Sequence, residues 1–462
     1  MTIDFYYFDP SPPCRTVMML AKALGVHFNY IKVNPLEGDH MKPEFVKINP
    51  QRVIPTIDDN GLILCESRAI LGYLVNKYAK NDHFYPKDPQ KKGIIDQRLF
   101  FDIGTLYDLF FKCYGFVAFG MIEAAKEEDV QALERAFEIL NVYFEDSQYV
   151  AGDEITIADF TIITSVCSMV ECGFDISVYE NVNDWYERCS KDFEKFGFKD
   201  INLTGARFIA GLYKSRVTRS NQLVGLVSAT RPSYLLVAFV VLKFSDLQMP
   251  LDLYQTIYST PCRAVRLVAA ALGVDLNLKI CDIRKGDQFK PEFIKMNPQH
   301  TIPTMDDNGL YLSESRAIMT YLADQYGKDD SLYPKDPKKR AFVDQRLYFD
   351  MGFYQLFKTY YRPTIFENKS KDTIDFEKLD TAFGFLEKFL EGENYVAGKN
   401  LTIADLALVC SVSTFEAMEY DFSNFMNIKQ WYLKIKKEAP KYEEIVEEGV
   451  MEFKEMVASM KK

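Results

Sequence analysis

Two serines set 248 positions apart stand where a hydroxyl could hold an anion. Ser11 lies in Ser11-Pro12-Pro13-Cys14-Arg15 and Ser259 in Ser259-Thr260-Pro261-Cys262-Arg263. Each follows a strand-like run, Phe5-Tyr6-Tyr7-Phe8 or Leu253-Tyr254-Gln255-Thr256-Ile257-Tyr258, and opens an apolar helix that stops at Gly25 or Gly273. Proline just inside the helix start and glycine just past its end set the helix direction. The serine therefore sits at the positive end of a helix, where a hydroxyl and free amides hold negative charge. Taken alone, the same turn reads as an ordinary helix cap. The rest of the chain changes the balance.

Disulfide exchange is the competing chemistry. A redox C-x-x-C places the attacking thiol first, and serine holds that place in both copies. Cys14 and Cys262 point back along helices that must pack on a sheet, so they read as small core residues. The 9 cysteines are odd in number and lack C-x-x-C pairs, which suits reduced thiols in a reducing compartment. The 4 histidines, His27, His40, His83 and His300, have no metal-ligand spacing, so no metal is expected.

A length of 462 residues implies two to four domains. A net charge of -11 argues against a nucleic-acid partner and against an anionic membrane surface. Met1 to Tyr7 lacks a basic start and a long apolar run, so no secretory signal is visible and the expected location is cytoplasmic.

One internal repeat dominates the chain. Lys-Pro-Glu-Phe, Ile-Pro-Thr, Glu-Ser-Arg-Ala-Ile and Phe-Asp all recur at an offset of 248. The offset is 247 between Tyr107 and Tyr354, and 246 between Asp159 and Asp405 and between Trp185 and Trp431. Residues 217–248 match nothing in either copy and read as a linker. Its apolar run Tyr234 to Leu242 is too short to span a bilayer, which takes about 20 residues. Met249 precedes the second copy's first strand, as if that copy once began there and the linker were joined-on sequence.

Within copy one, Ile3–Phe8 reads as a strand, Pro13–Leu24 as a helix and Phe28–Val33 as a strand, followed by a short helix from Pro43 to Ile48 that Asn49-Pro50 ends. Ile54-Pro55-Thr56-Ile57 and Leu62-Ile63-Leu64 are strands joined through Asn60-Gly61, and Glu66 to Tyr78 is a helix. The order fits a small mixed sheet with helices on its faces. From about Lys91 to Arg216 the pattern is helical throughout. Thr156-Ile157-Ala158-Asp159 and Thr402-Ile403-Ala404-Asp405 are capping boxes with a structural role.

These four motifs, in this order and twice over, resemble the cytosolic glutathione transferases, and Ser-x-Pro-Cys-Arg is most similar to their serine-type delta and epsilon classes. The resemblance covers about residues 3–216 and 250–460. It implies an α/β plus all-α fold: per copy, a thioredoxin-like N-terminal domain and an all-helical C-terminal domain, duplicated. The expected boundaries are 1–81 and 88–216 for copy one, 217–248 for the linker, and 249–329 and 336–462 for copy two. The implied reaction is attack of the glutathione thiolate on a small apolar electrophile, with glutathione as co-substrate and no cofactor. Ser11 and Ser259 match the family's catalytic serine, donating a hydrogen bond to sulfur.

A thiol with a pKa of about 8.5 needs roughly 2.7 kcal/mol to drop by about two units. A hydroxyl on a charged sulfur supplies about 1.5–3 kcal/mol and a helix N-terminus about 0.3–1, which together suffice. The resemblance assigns the cysteinyl backbone of glutathione to Ile54-Pro55 and Ile302-Pro303, with the Ile–Pro bond cis. It assigns the γ-glutamyl end to Glu66-Ser67-Arg68 and Glu314-Ser315-Arg316, and the glycyl carboxylate to His40 and Arg52 in copy one and Gln288 and His300 in copy two. Arg52 is longer and forked, not an equivalent donor. Asp9-Pro10 also departs from the family pattern and places a carboxylate near the thiolate, so copy two is expected to be the more active.

The apolar second substrate is assigned to Tyr107, Tyr114 and Phe119 in copy one and to Tyr354, Tyr361, Arg362 and Phe366 in copy two. Arg362 matches Gly115, which suggests different electrophile preferences. The family pairs as two-fold dimers, so either a pseudo-dimer within the chain or a homodimer is expected. The alternative reading is a non-catalytic glutathione-binding or structural protein on the same fold.

Overall fold

A computed structural model describes residues 2–220 and 251–460, apart from Asn368, Lys371 and Thr373. In copy one, β1 (Ile3–Tyr7) leads through α1 (Pro12–Leu24) to β2 (Phe28–Lys32), the short α2 (Pro43–Ile48), the hairpin β3 (Thr56–Asp59) and β4 (Leu62–Cys65), and α3 (Ser67–Tyr78). The sheet order is β2-β1-β3-β4, with β1 and β2 parallel and the other pairs antiparallel. Phe5 pairs with Ile57 and Ile57 with Leu64, so three fully buried side chains share one face and pack on the helices.

The helical half of copy one holds α4 (Pro89–Phe101), α5 (Tyr107–Phe110), α6 (Phe116–Ala118), α7 (Glu127–Val142), α8 (Ile157–Cys172), α9 (Glu180–Asp192) and α10 (Thr204–Ser220). Because α10 runs on to Ser220, the helical domain continues past the expected boundary at 216; the remainder of the expected linker lies outside the described residues.

Copy two repeats the plan. Strands β5 (Leu251–Gln255), β6 (Leu276–Ile280), β7 (Thr304–Asp307) and β8 (Leu310–Leu312) form a sheet of order β6-β5-β7-β8. Helices α11 (Thr260–Leu272), α12 (Pro291–Met296) and α13 (Ser315–Tyr326) lie around it. The helical half follows as α14 (Pro337–Phe366), α15 (Phe376–Phe389), α16 (Ile403–Ala417), α17 (Met426–Glu438) and α18 (Glu448–Met460).

The first change of offset has a structural counterpart. Between Asp102 and Tyr107, where copy one carries the extra residue, the backbone is a π-helix from Asp102 to Leu106; copy two runs through the same place as one uninterrupted α14. A single inserted residue in an α-helix is accommodated as a π turn of this kind. Both capping boxes form, and each aspartate also accepts from a buried tryptophan: Trp185 Nε1 to Asp159 at 3.1 Å and Trp431 Nε1 to Asp405 at 2.9 Å. The buried carboxylate holds an otherwise orphaned helix start, as expected.

The two copies pack on each other, α3 against α14 and α13 against α4. Phe100 stacks on Tyr348 with ring centroids 4.5 Å apart. Lys92 Nζ lies 2.7 Å from Asp324 and donates to Tyr333 Oη at 3.2 Å, and Thr320 Oγ1 donates to Asp96 at 2.9 Å. Each bond crosses from one copy to the other. Among the described residues, no helix is long and apolar enough to cross a membrane.

Candidate functional site

Ser11 and Ser259 occupy the N-cap positions of α1 and α11 with extended backbone, and neither side chain makes a capping hydrogen bond. The backbone does the local work: Ser11 N–H donates to Phe8 C=O at 3.0 Å and Ser259 N–H to Thr256 C=O at 3.2 Å. Both serines are half-buried. Neither hydroxyl is spent on a backbone amide of its helix; each leans instead on the thiol of the cysteine three residues on.

The cysteines three residues on are different. Cys14 and Cys262 are fully buried, and burial pushes their thiols up to about 12 and about 11, against the pull of the neighbouring serine hydroxyls. Such thiols stay protonated and unreactive. Arg15 and Arg263, also fully buried, tie the serine helix to the helical domain: Arg15 Nη2 donates to Ser168 Oγ at 2.6 Å and Arg263 Nη2 to Thr414 Oγ1 at 2.8 Å.

Both Ile–Pro bonds, Ile54-Pro55 and Ile302-Pro303, are cis. The loop before each is braced from below. Asn49 Nδ2 donates to Val53 C=O at 3.1 Å and to Thr56 Oγ1 at 2.9 Å, and Asn297 Nδ2 does the same to Thr301 C=O at 3.0 Å and Thr304 Oγ1 at 2.9 Å. Among the described residues, no hydrogen bond uses the amide or carbonyl of Ile54 or Ile302, so both remain open to an extended partner.

Arg52 and His300, at matched positions in these loops, have left-handed backbones with φ of 59 and 42. Glu66 and Glu314, at the N-caps of α3 and α13, share that trait with φ of 68 and 64. Residues with a Cβ occupy this region sparingly, and it recurs at binding sites because it aims a side chain that an ordinary turn would turn away. Ser67 and Ser315 open the two helices, each accepting from the arginine that follows, at 3.1 and 3.3 Å, with the hydroxyl proton left to donate.

Arg68 and Arg316 lie beneath the site. Arg68 pairs with Asp102, which also accepts from Ser165 Oγ at 2.8 Å; Arg316 Nε pairs with Asp350 at 2.9 Å, and Asp350 accepts from Ser411 Oγ at 2.6 Å. Both guanidiniums are buried in these networks, so they fix the helix start from behind. The aspartates were not among the sequence candidates, although the Phe-Asp pair repeating at the 248 offset marks them.

The glycyl-end candidates differ in order. His300 is half-buried, with its ring 5.0 Å from that of Phe289, while Arg52 is exposed and its nearest partner is Met41 Sδ at 3.9 Å. Nδ1 of His40 and Oε1 of Gln288 are buried without a hydrogen-bond partner, while Gln288 Nε2 donates to Ile283 C=O at 3.3 Å. Asp9 is half-exposed and pairs with Lys32 at 3.0 Å, which neutralises it on the solvent side.

Tyr107 lies with its ring 5.3 Å from the Arg68 guanidinium, and Tyr354 with its ring 5.9 Å from Arg316. Phe119 and the exposed Phe366 lie further along the same walls, and the Tyr114 ring meets Tyr213 at 5.2 Å. Tyr361 departs from its expected place. It is 2 % exposed and packs between Phe357 and Phe415, so it fills the helical core rather than lining a cleft, because its helix turns that side inward.

A cavity of about 450 Å³ opens where copy one's Gln51, Glu66, Tyr107 and Phe111 face copy two's Met351 and Phe385. Among the described residues, no group of three or more His, Cys, Asp or Glu could hold a metal ion.

The family model described as "Glutathione S-transferase, N-terminal domain" matches residues 5–82 and 253–330, and "Glutathione S-transferase, C-terminal domain" matches 108–192 and 349–438. Among solved structures, the chain is similar to a delta-class glutathione transferase of Nilaparvata lugens, 58% identical over 46% of this chain and 100% of that one, with a TM-score of 0.44. It is similar to a Bombyx mori glutathione transferase at 44% identity, over 46% and 98% of the two chains, with a TM-score of 0.45. An epsilon-class glutathione S-transferase from the housefly Musca domestica is 32% identical over 46% and 98%, with a TM-score of 0.44.

Proposed function

The chain belongs to the glutathione S-transferase family, as two complete copies in tandem, and on that premise we propose that it conjugates the glutathione thiolate to small apolar electrophiles, with copy two carrying the larger share. The observation that carries this reading is the pair of N-cap serines whose hydroxyls make no capping bond. Each hydroxyl exchanges its contact with the buried, protonated cysteine thiol for a charged sulfur at the positive end of the helix, and the two contributions together reach the roughly 2.7 kcal/mol that a two-unit fall in thiol pKa requires.

The tripeptide lies across the serine turn. Its cysteinyl amide and carbonyl pair with Ile54 or Ile302, and its γ-glutamyl carboxylate meets Ser67 or Ser315 and the first amides of the helix. Its ammonium meets Glu66 or Glu314. Burial raises both glutamates, while Arg68 and Arg346 oppose this at Glu66 and Lys358 and Arg316 oppose it at Glu314; the incoming ammonium adds to that pull. The larger share for copy two rests on the glycyl end, where His300 is held by Phe289 and Arg52 is unrestrained. Asp9, turned outward to Lys32, opposes a thiolate in copy one only weakly.

Conjugation of a chromogenic aryl halide by the intact chain, Ser11→Ala and Ser259→Ala tests the reading. Ser259→Ala is expected to remove most of the activity, about ten-fold or more in rate, and Ser11→Ala the smaller part. Equal rates in all three would sink the serine role, and no conjugation by any of them would favour a glutathione-binding protein without the chemistry.

A further inference from the structure

The two copies differ most sharply in chemistry along one stripe of the helix beside the serine turn. On α14 this stripe is Tyr354, Lys358 and Arg362, spaced one turn apart; the matched residues of copy one are Tyr107, Phe111 and Gly115. Spacing of four puts side chains on one face of a helix. Tyr354 identifies that face: its ring lies 5.9 Å from the guanidinium of Arg316 in the γ-glutamyl segment and 5.6 Å from Lys358 Nζ. Its phenol also feels the hydroxyl of Thr260, the residue after Ser259.

Arg362 continues the stripe, with its guanidinium 5.8 Å from the ring of Phe366, itself 52% exposed. Lys358 and Arg362 are both exposed, and among the described residues neither forms an ion pair. Two carboxylates act on Lys358 through space without an ion pair: Glu314, and Asp108 of copy one, which is itself tied to Lys112 at 2.7 Å. Two cations one turn apart, with aromatic faces beside them, make a wall that recognises an anion attached to an apolar body.

Copy one has built the opposite wall. The Phe111 ring lies 5.1 Å from Tyr107 and 6.3 Å from Phe119, and a Cβ added at Gly115 would come within 2.8 Å of the Phe111 ring. Gly115 is therefore the space that Phe111 occupies. The stripe is aromatic and uncharged.

We propose that the second-substrate clefts have divided their work: copy two takes electrophiles that carry a carboxylate or similar fixed anion, held by Lys358 and Arg362, and copy one takes uncharged aromatic electrophiles against Phe111. This rests on the conjugating reading above. For an aryl enone carrying a ring carboxylate, the thiolate sulfur forms a bond to the β-carbon. The alkene electron pair moves to the carbonyl oxygen, and solvent returns a proton to the α-carbon. No group leaves and nothing is oxidised; the remote carboxylate stays on the cationic wall throughout.

The test compares that acid with its methyl ester at saturating glutathione. The wild-type ratio of kcat/KM, acid over ester, is expected to fall about ten-fold in Lys358→Gln combined with Arg362→Gln, and to fall with added salt in the wild type. Lys358→Arg should keep most of the ratio. If both compounds are turned over and the ratio is the same in wild type and double variant, the division is wrong while the transferase reading stands. If Lys358 served only as counter-ion to Glu314, the double variant would raise KM for glutathione at an unchanged ratio, which also overturns it. No turnover of either compound by any variant would overturn both readings.

Discussion

At the scale of single residues, the site depends on groups that touch nothing of the substrate. Arg316 is 6% exposed and owes its charge balance to Asp350, as Arg68 does to Asp102. Asp350→Ala leaves a buried guanidinium unpaired and is expected to cost about 3–5 kcal/mol, whereas replacing Arg316 and Asp350 together by apolar residues of similar volume should cost much less. Urea unfolding of the single and double variants checks this, and a double variant as unstable as the single would contradict it. The serines were legible in the sequence because a strand, a proline and a stopping glycine surround each. The positive φ of Arg52, His300, Glu66 and Glu314 was not, since none of these residue types announces that conformation as glycine does.

At the scale of elements, most of one copy could be read from periodicity and turns: the Pro43–Ile48 helix has the bounds expected of it, and the Asn60-Gly61 turn joins two strands, although the first runs Thr56–Asp59 and leaves the expected Ile54-Pro55, a cis bond, outside it. The fall in offset from 248 to 247 was visible, but its form, a π turn over Asp102–Leu106, required the backbone. Tyr361 shows the limit of reading one face by analogy. Helical spacing groups residues on a stripe, but only packing decides which stripe turns to the core.

At the scale of the molecule, the duplication was plain from repeated motifs, while the contacts between copies were not, because they join residues more than 200 positions apart. Lys92, Asp324, Tyr333 and Asp344 meet at that junction. Burial pushes the Asp344 carboxyl up to about 6, with Lys92 and Arg340 pulling the other way. A raised folded-state pKa means that the native chain holds this proton more tightly than the unfolded one. The contribution of Asp344 to stability is therefore present below about pH 4 and lost as pH rises to about 6. In Asp344→Asn this part of the pH dependence should be missing, so the variant gains on the wild type by about 2–3 kcal/mol over that interval; parallel pH profiles would exclude the effect. Because the two copies already pack on each other within one chain, light scattering is expected to give a mass near 53.4 kDa, and twice that would point to pairing between chains.

The central claim is that each serine makes bound glutathione acidic, and thiolate absorbance as a function of pH measures this directly. The tripeptide bound to the intact chain should lose its thiol proton about two units below the free value of about 8.5; Ser259→Ala should return most of that shift at copy two only, and the loss of both hydroxyls should return most of it at both sites. A bound thiol as weakly acidic as free glutathione, or a shift that survives the loss of both serine hydroxyls, would contradict the account.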